Sequence, residues 1–287
     1  MFYINNVLIE QNHFPDGTLN LKLNTKSDFL TDMSVFTFGN YNYITWYYEN
    51  DAELFTLLNI VEHYKNEKLI LTMPYCPHAR MDRIEKQDDV FTLKTFANII
   101  NSCGFKEVII RDPHSNVAPA LINNCKVQSV NIYISEVVKD LVENNFIDSA
   151  ESLVICFPDE GAEKRYSNKI TTNNIIVGHK NRDWQTGKVL DLKLYGADIF
   201  EKNVLIIDDI CSYGNTFYYT AKALKELGAK KVFLYVTHCE NNIFKGKINE
   251  NPDLIDKIYT TESIFKPDPA FVLNEKIAIK SLSALKK

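Results

Sequence analysis

Two adjacent carboxylates follow an apolar run in the segment VLIIDDICSYGNT, residues 204–216. Asp208 and Asp209 cannot both be buried and unpaired, because removing two neighbouring charges from water is too costly. They need hydroxyl donors, a cation or water. Backbone N–H groups of the following loop, together with a helix that begins near Thr216, would bind a phosphate. The segment therefore predicts a site for a phosphorylated sugar, whereas the plainer alternatives are a helix cap or a solvent-facing pair.

Two cations lie close together in the segment HKNR, residues 179–182. On an extended segment, the side chains of Lys180 and Arg182 point to the same side. Two cations on one side of a loop can neutralise the charge of a phosphoryl group during its transfer. A solvated basic loop is the alternative interpretation.

Two separate residues are candidate metal ligands: His114 in RDPH (111–114) and Asp159 in FPDEG (157–161). Either side chain can bind a metal ion, although a single His at the end of a strand is more often structural. The chain contains neither of the glycine-rich nucleotide motifs GxxxxGK[ST] and GxGxxG. No Ser/His or Cys/His pattern of a nucleophile stands out. If the protein binds ATP, it does so by another scheme.

These residues must be positioned by strands and helices, which the apolar pattern locates. Short runs rich in Val, Ile and Phe predict buried strands at residues 35–38, 68–75, 107–112, 152–159, 174–180, 203–209 and 230–238. Apolar residues at three- and four-residue spacing predict helices at 51–66, 90–104, 134–145 and 216–228. Two of these helices end in a glycine suited to a C-cap, Gly104 and Gly228. Strand–helix alternation predicts an α/β fold with mostly parallel sheets flanked by helices.

The alternation runs through the chain twice, which predicts two domains, 1–132 and 133–287. In open parallel sheets, ligands bind beyond the carboxyl ends of the strands. His, Arg, Lys or Asp follows almost every predicted strand of this chain. A whole set of charged strand ends is what a charged ligand in a crevice requires.

Composition argues against several classes of function. The chain of 287 residues has a net charge of −5 and a pI of about 5.7, which argues against a nucleic-acid binder that depends on phosphate contacts. We expect no membrane span and no signal peptide, because no suitable apolar run is present. The six Cys residues contain no CxxC pair, which predicts reduced, mostly buried thiols in a cytoplasmic protein and argues against a zinc site.

Six segments, in the same order along the chain, resemble motifs of the ribose-phosphate pyrophosphokinases (phosphoribosyl pyrophosphate synthetases). That family is built from two type I phosphoribosyltransferase-like domains. The matching segments are HFPDGT (13–18), PYCPHARMDR (74–83), RDPHSN (111–116), FPDEGAEKR (157–165), HKNR (179–182) and VLIIDDICSYGNT (204–216). They resemble, in turn, the adenine-binding hairpin, the ATP-binding segment, the metal segment, S-P-D-x-G-x-x-K-R, the catalytic-loop K-x-R and the ribose-phosphate loop V-D-D-x-x-D-T-x-G-T.

The resemblance implies a reaction and a role for each matching residue. The β,γ-pyrophosphate of Mg-ATP would move to the anomeric 1-hydroxyl of a ribose 5-phosphate moiety, releasing AMP. Lys180 and Arg182 would stabilise the transition state, and His114 and Asp159 would hold Mg²⁺. The implied ATP-binding residues are Phe14, Asp16, Arg80, Asp82, Glu85 and His114. The implied ribose-phosphate-binding residues are Asp208, Asp209, Ser212, Tyr213, Gly214, Asn215 and Thr216.

The resemblance also implies which domain and which subunit contribute each group of binding residues. The first domain would carry the ATP-binding elements, and the second the ribose-phosphate loop and the catalytic loop. The last segment of the second domain has a second possible position, in which it packs back on the first domain. Phe14 and Asp16 would contact adenine from a neighbouring subunit, which requires a homo-oligomer of at least two copies. The C-terminus, SLSALKK, lacks the family's tail, which puts the usual hexamer and its allosteric control in doubt.

Departures from the family pattern concentrate in the ribose-phosphate loop. The family's D-T-x-G-T is replaced by Ser212, Tyr213, Gly214, Asn215 and Thr216. A loop that binds a free phosphate dianion should not accept a bulky aromatic residue, whereas Tyr213 could stack on or hydrogen-bond to a larger group on the 5′ side. The family includes a phage-borne branch that pyrophosphorylates ADP-ribose in rebuilding NAD. The departures therefore favour a 5′-extended acceptor such as ADP-ribose.

Three other functions compete with this interpretation. The first is a conventional synthetase that uses free ribose 5-phosphate. The second is a phosphoribosyltransferase, which would need neither the duplicated domain nor the K-x-R segment. The third is a non-catalytic, synthetase-associated regulatory protein, although such relatives usually lose catalytic-loop residues that this chain retains.

Overall fold

The computed structural model describes residues 1–23, 41–182 and 189–280 of the chain. The predicted strand at 35–38 lies outside the described residues. The chain divides into two compact units, Met1–Gln128 and Ser129–Lys287. The boundary expected between residues 132 and 133 lies inside the first helix of the second unit, Asn131–Glu143.

The first unit contains a six-stranded sheet and a separate hairpin. Its strands are β1 (Phe2–Ile4), β2 (Val7–Ile9), β3 (Gln11–His13), β4 (Leu19–Leu21), β5 (Tyr41–Trp46), β6 (Lys68–Met73), β7 (Glu107–Arg111) and β8 (Cys125–Gln128). Its helices are α1 (Glu53–His63), α2 (Thr92–Ser102) and α3 (Val117–Leu121). The sheet order is β2-β1-β5-β6-β7-β8, with β5 to β8 parallel. Strands β3 and β4 pair only with each other in the described part of the chain.

The second unit contains a seven-stranded sheet. Its strands are β9 (Leu153–Phe157), β10 (Ile175–Arg182), β11 (Val189–Gly196), β12 (Asn203–Cys211), β13 (Lys231–Cys239), β14 (Lys257–Thr261) and β15 (Ile277–Lys280). Its α-helices are α4 (Asn131–Glu143), α5 (Glu160–Tyr166), α6 (Asn215–Glu226) and α7 (Lys247–Glu250). Short 3-10 helices span Ala150–Ser152, Ser167–Lys169, Asn241–Lys245, Pro252–Leu254 and Val272–Lys276. The order is β11-β10-β9-β12-β13-β14-β15, and β11 is the antiparallel strand at one edge.

Both faces of the second sheet are covered, which explains why its central strands contain continuous apolar runs, such as Val204–Ile207 of β12. Successive residues of β12 belong to different cores: Ile206 packs with α6 on one face, and Ile207 packs with α4 on the other. All five residues of β9 are buried. Because the side chains of a strand alternate between its two faces, those of β12 contribute to two hydrophobic cores rather than to one core and a solvent-exposed face.

Each predicted strand and helix within the described residues overlaps an observed element of the same type, and the predicted α/β class is confirmed. Gly104 and Gly228 adopt positive φ, +65° and +87°, directly after the C-caps of α2 and α6, as predicted. The helix predicted at 134–145 begins earlier, at Asn131. Several short or partly polar strands are not predicted by the sequence pattern, among them β1, β2, β5, β8, β11, β14 and β15.

All six cysteines are free thiols, and four of them are buried, as expected for a reduced protein. Among the described residues, no helix combines the length and hydropathy that crossing a bilayer requires.

Candidate active site

The acid pair lies in the second half of β12, whose two neighbours in the sheet, β9 and β13, are parallel to it. Asp209 is buried, with 3% of its surface exposed, and the side chain of Asp208 is 13% exposed. Arg165, in the last turn of α5, places Nη1 at 2.5 Å from Asp209 Oδ1 and at 3.5 Å from Asp208 Oδ1. Because α5 directly follows β9, and β9 is the parallel neighbour of β12, the sheet order brings this guanidinium to the carboxylates.

The electrostatics of the pair favour a ligand that supplies positive charge or hydrogen-bond donors. Burial, together with repulsion by Asp209 and Asp159, holds the pKa of Asp208 well above its ordinary value despite the attraction of Arg165. Burial disfavours the charged guanidinium, but the two carboxylates raise the pKa of Arg165 above its ordinary value. The N-cap of α6 is Gly214, and neither carboxylate faces solvent. The two alternative interpretations of the acid pair, a helix cap and a solvent-facing pair, are therefore wrong.

The loop after β12 leads into α6 as predicted. Gly214 is the N-cap of α6 at φ +73°, and an added Cβ there would meet Ile248 Cδ1 at 2.6 Å. Thr216 lies in the first turn of the helix. The loop thus presents backbone N–H groups at a helix N-terminus, which is the arrangement that binds phosphate.

Ser212 and Tyr213 differ in what they face. Ser212 Oγ donates a hydrogen bond to Glu240 Oε2 at 2.6 Å. Tyr213 is 49% exposed, so it does not point into a core. The backbone of Tyr213 packs against Gly246, where an added Cβ would meet the Tyr213 carbonyl oxygen at 1.8 Å. Asn215, the fourth position of the altered motif, is exposed.

The catalytic-loop candidates fall on the second half of β10. The backbone of Lys180 pairs with Leu192 and that of Arg182 with Val189, on the antiparallel strand β11. The side chains of Lys180 and Arg182 lie outside the described part of the structure. His179, one residue earlier, has Nδ1 at 2.9 Å from Glu160 Oε1, which links β10 to α5.

Phe14 and Asp16 lie in the turn of the β3–β4 hairpin. Phe14 is 52% exposed. Asp16 Oδ1 accepts hydrogen bonds from the backbone N–H and the hydroxyl of Thr18, at 3.0 and 2.7 Å, and these bonds lower the pKa of Asp16. Thr18 therefore shapes the turn. The hairpin presents its aromatic residue to solvent.

The remaining ATP-site candidates follow β6 and β7, which are parallel neighbours. Arg80 and Glu85 are exposed, whereas Asp82 is 6% exposed and forms an ion pair with Arg83 Nε at 3.1 Å. His114 is half-buried and stands three residues after the end of β7. Charged or polar side chains thus follow the ends of both β6 and β7.

Asp159 caps a helix, and this bears on its predicted role as a metal ligand. Its Oδ1 accepts a hydrogen bond from the Ala162 N–H at 3.0 Å at the start of α5. Within the described ranges, no three His, Cys, Asp or Glu side chains form a group that could hold a metal ion. His114 and Asp159 belong to different units. The carboxylate of Asp159 is of the oxygen type that Mg²⁺ prefers, and Mg²⁺ is usually bound by one or two carboxylates together with the phosphates of a substrate.

The sequence alone indicates no role for two residues that contact the predicted site residues, Arg165 and Glu240. Arg165 belongs to the segment FPDEGAEKR, and Glu240 stands two residues after the predicted strand at 230–238. Position beyond a strand end was the available signal for both. Their partners could not be identified without the order of the strands.

Comparison with known proteins gives a consistent result, although no protein-family model matches the chain. A ribose-phosphate pyrophosphokinase of Chlorobaculum tepidum is 27% identical over 239 residues, covering 82% of this chain and 71% of that protein. One from Sulfurisphaera tokodaii is 26% identical over 273 residues, covering 92% and 87%.

A solved structure agrees in fold. The phosphoribosylpyrophosphate synthetase of Mycobacterium smegmatis matches 97% of this chain and 87% of its own, with a TM-score of 0.71 and 15% identity. In sequence and in fold, the chain is thus a relative of the ribose-phosphate pyrophosphokinases, which are diphosphotransferases.

Proposed function

We propose that the protein is an ATP-dependent pyrophosphokinase that acts on a ribose 5-phosphate moiety. The observation that carries this proposal is the pair of Asp208, which is 13% exposed, and Asp209, which is buried, on the strand that leads into a loop and a helix N-terminus. Carboxylates suit the ribose hydroxyls and backbone amides suit a phosphate. The chain's relatives, named ribose-phosphate pyrophosphokinases, support the same reaction.

In this reaction the anomeric hydroxyl oxygen of the acceptor forms a bond to the β-phosphorus of ATP. The bond between that phosphorus and the oxygen bridging to the α-phosphorus breaks, AMP leaves with the bond's electrons, and the hydroxyl proton passes to solvent. Asp208 and Asp209 hold the sugar in position, and Lys180 and Arg182 balance the charge of the moving group. Asp159 and His114, the metal ligands that the resemblance implies, would hold Mg²⁺, which would supply charge neutralisation at the phosphates. Positioning and charge neutralisation suffice for such a transfer.

The ATP side of the site belongs to the first unit. Arg80, Asp82, Glu85 and His114 follow β6 and β7, and the resemblance assigns all four to ATP. The exposed Phe14, with Asp16 beside it, would contact adenine in a neighbouring subunit. The functional protein is therefore a homo-oligomer of at least two copies.

For the acceptor we propose a 5′-extended ribose, such as ADP-ribose in a route that rebuilds NAD. Tyr213 is half exposed and is available for stacking, which supports this choice. Lys247, next to Gly246, donates to Tyr219 Oη at 2.6 Å and lies over the rings of Tyr218 and Tyr219, at 5.3 and 4.7 Å from their centres. Gly246 packs on the backbone of Tyr213, so aromatic and cationic groups gather beside the loop. Such groups suit a nucleotide that extends beyond the 5′-phosphate.

The acceptor is tested by mixing the protein with Mg-ATP and either ribose 5-phosphate or ADP-ribose. AMP release and the mass of the sugar product are followed. We expect AMP and a pyrophosphorylated product with ADP-ribose. The same result with ribose 5-phosphate alone would indicate a conventional synthetase, and AMP from neither would favour the regulatory alternative.

The role of Lys180 is tested with Lys180→Ala. We expect turnover to fall by at least about 100-fold while ATP binding changes little, because contacts that strengthen mainly in the transition state affect kcat more than binding. Lys193→Ala is the matched control, since Lys193 is an exposed cation on the neighbouring strand β11. Unchanged turnover in Lys180→Ala would refute the mechanism.

A further inference from the structure

Glu240 lies beside the ribose-phosphate loop, and the sheet fixes its position. It follows β13 directly, and its N–H donates to the Cys211 carbonyl at 2.8 Å, continuing the parallel ladder between β12 and β13. Its Oε2 accepts hydrogen bonds from Ser212 Oγ at 2.6 Å and from Asn242 Nδ2 at 3.0 Å. The carboxylate of Glu240 is thus held against the first residue of the altered loop motif.

Ser212 stands where the resembling motif, D-T-x-G-T, begins with an aspartate. A serine hydroxyl cannot carry the negative charge of that aspartate. In this chain a carboxylate oxygen is nevertheless present 2.6 Å from the serine oxygen, on the neighbouring strand. We propose that Glu240 supplies this charge from β13 and is a third acceptor-binding carboxylate, which accepts a hydrogen bond from a sugar hydroxyl. This inference rests on the proposed function and names a further residue of the same site.

A purely structural link between the two strand ends would not need a charge. A glutamine could accept the same hydrogen bond from Ser212 through its amide oxygen, without the desolvation cost of a half-buried carboxylate. Asp208 and Asp209 lie earlier on the strand that ends next to Ser212, so a ligand of this site is expected to supply hydrogen-bond donors to carboxylates. A polyhydroxylated sugar supplies several.

The test separates the charge from the hydrogen bond. Glu240→Gln keeps an acceptor for Ser212 and removes the charge. We expect the KM for the acceptor to rise about tenfold, as for loss of one charge-assisted hydrogen bond, with the KM for ATP and the melting temperature nearly unchanged. Ser212→Asp/Glu240→Gln returns a carboxylate from the β12 side, and we expect it to recover most of the lost acceptor affinity. Ser212→Asp alone places two carboxylates together and should bind acceptor worse than the wild type.

The matched control is Glu226→Gln, which removes an exposed carboxylate at the far end of α6. It should leave both KM values unchanged. An unchanged acceptor KM in Glu240→Gln, or the absence of recovery in the double variant, would overturn the proposal and leave Glu240 as a structural link.

A second readout distinguishes this proposal from the proposed function. If the wild type turns over neither ribose 5-phosphate nor ADP-ribose, the proposed function fails. The shift in melting temperature caused by each acceptor is then measured without ATP. A shift in the wild type that Glu240→Gln loses supports the third carboxylate. An equal shift in both proteins, or none in the wild type, contradicts it.

Discussion

Two carboxylate clusters of the second unit differ in how well their charges are matched. At the end of β12, Asp208 and Asp209 face the guanidinium of Arg165. On α4, Asp140 receives hydrogen bonds from Lys257 and Lys280, each at 3.0 Å, and from Tyr259 Oη at 2.7 Å. We call the first the acid-pair cluster and the second the Asp140 cluster.

The two clusters shift the pKa of a carboxyl group in opposite directions. Burial raises the pKa of Asp208, and repulsion by Asp209 and Asp159 adds to the effect. Burial also acts to raise the pKa of Asp140, but hydrogen bonds from Tyr259 and the two lysines outweigh it and lower the value to about 2. A carboxylate whose charge is matched by the protein stabilises the fold, whereas one whose charge is opposed is suited to a ligand.

The largest effect on stability should come from Arg165→Ala. Asp209 is buried, so removal of the guanidinium takes away a positive charge that offsets the burial of this carboxylate, and we expect the free energy of unfolding to fall by about 3–5 kcal/mol. Urea denaturation measures this change. The double variant Arg165→Ala/Asp209→Asn should regain part of the loss.

Lys169→Ala is the matched control for Arg165. Lys169 contacts the same ring, with Nζ 5.0 Å from the centre of Tyr166, where the Arg165 guanidinium lies at 5.6 Å. Its removal should cost no more than about 1 kcal/mol. Equal losses in the two single variants would show that the ring contact, rather than the ion pair, is what Arg165 contributes.

Asp208→Asn should separate activity from stability. We expect kcat/KM for the acceptor to fall about 100-fold, since a hydroxyl of the sugar loses a charged partner. The free energy of unfolding should stay within about 1 kcal/mol, because neutralising one of two repelling carboxylates relieves the cost of burial. Steady-state kinetics and urea denaturation of the same variant measure both. A large loss of stability with intact activity would show that the acid pair stabilises the fold rather than binding a ligand. The contrast with the Asp140 cluster would then be wrong.

Features with a clear local pattern could be predicted from the sequence, and the acid pair is one of them. The acid pair was predicted because two adjacent acids end an unambiguous apolar strand. The central strands β9, β12 and β13 were found for the same reason, since both of their faces are buried. Strands such as β8, with the sequence CKVQ, carry a weak pattern because only tertiary pairing makes them strands.

The partners of these acids could not be predicted. Arg165 and Asp209 are 44 positions apart, and their contact depends on β9 and β12 being neighbours in the sheet. The Asp140 cluster joins α4 to β14 and β15, over separations of 117 to 140 positions. No local pattern in the sequence encodes such contacts. The glutamate that faces Ser212 was hidden for the same reason.

Asp140→Asn tests the opposite prediction for the second cluster. Two ammonium groups and a tyrosine hydroxyl lose a charged acceptor, so we expect the free energy of unfolding to fall by about 1–2 kcal/mol. Turnover should stay within about twofold of the wild type, because none of the proposed site residues whose side chains the structure describes bonds to Asp140. Glu143→Gln, on the same helix with an exposed ion pair to Lys139 at 3.5 Å, is the control and should change stability by less than about 0.5 kcal/mol.

The pH dependence of that loss is the smallest expected effect. The folded-state pKa of Asp140, about 2, lies below the ordinary value of 3.8. A carboxyl group with a lowered pKa contributes stability that is present above its unfolded-state pKa and is lost as the pH falls through the folded-state pKa. The stability difference between the wild type and Asp140→Asn should therefore be constant at pH 5 to 7 and shrink by about 1 kcal/mol as the pH falls from 4 towards 2, after allowance for solvent screening. Urea midpoints of both proteins across this range measure the difference. A difference that is constant down to pH 2 would mean that Asp140 acts through its shape rather than its charge, and the contrast with the acid-pair cluster would then rest on Asp208 and Asp209 alone.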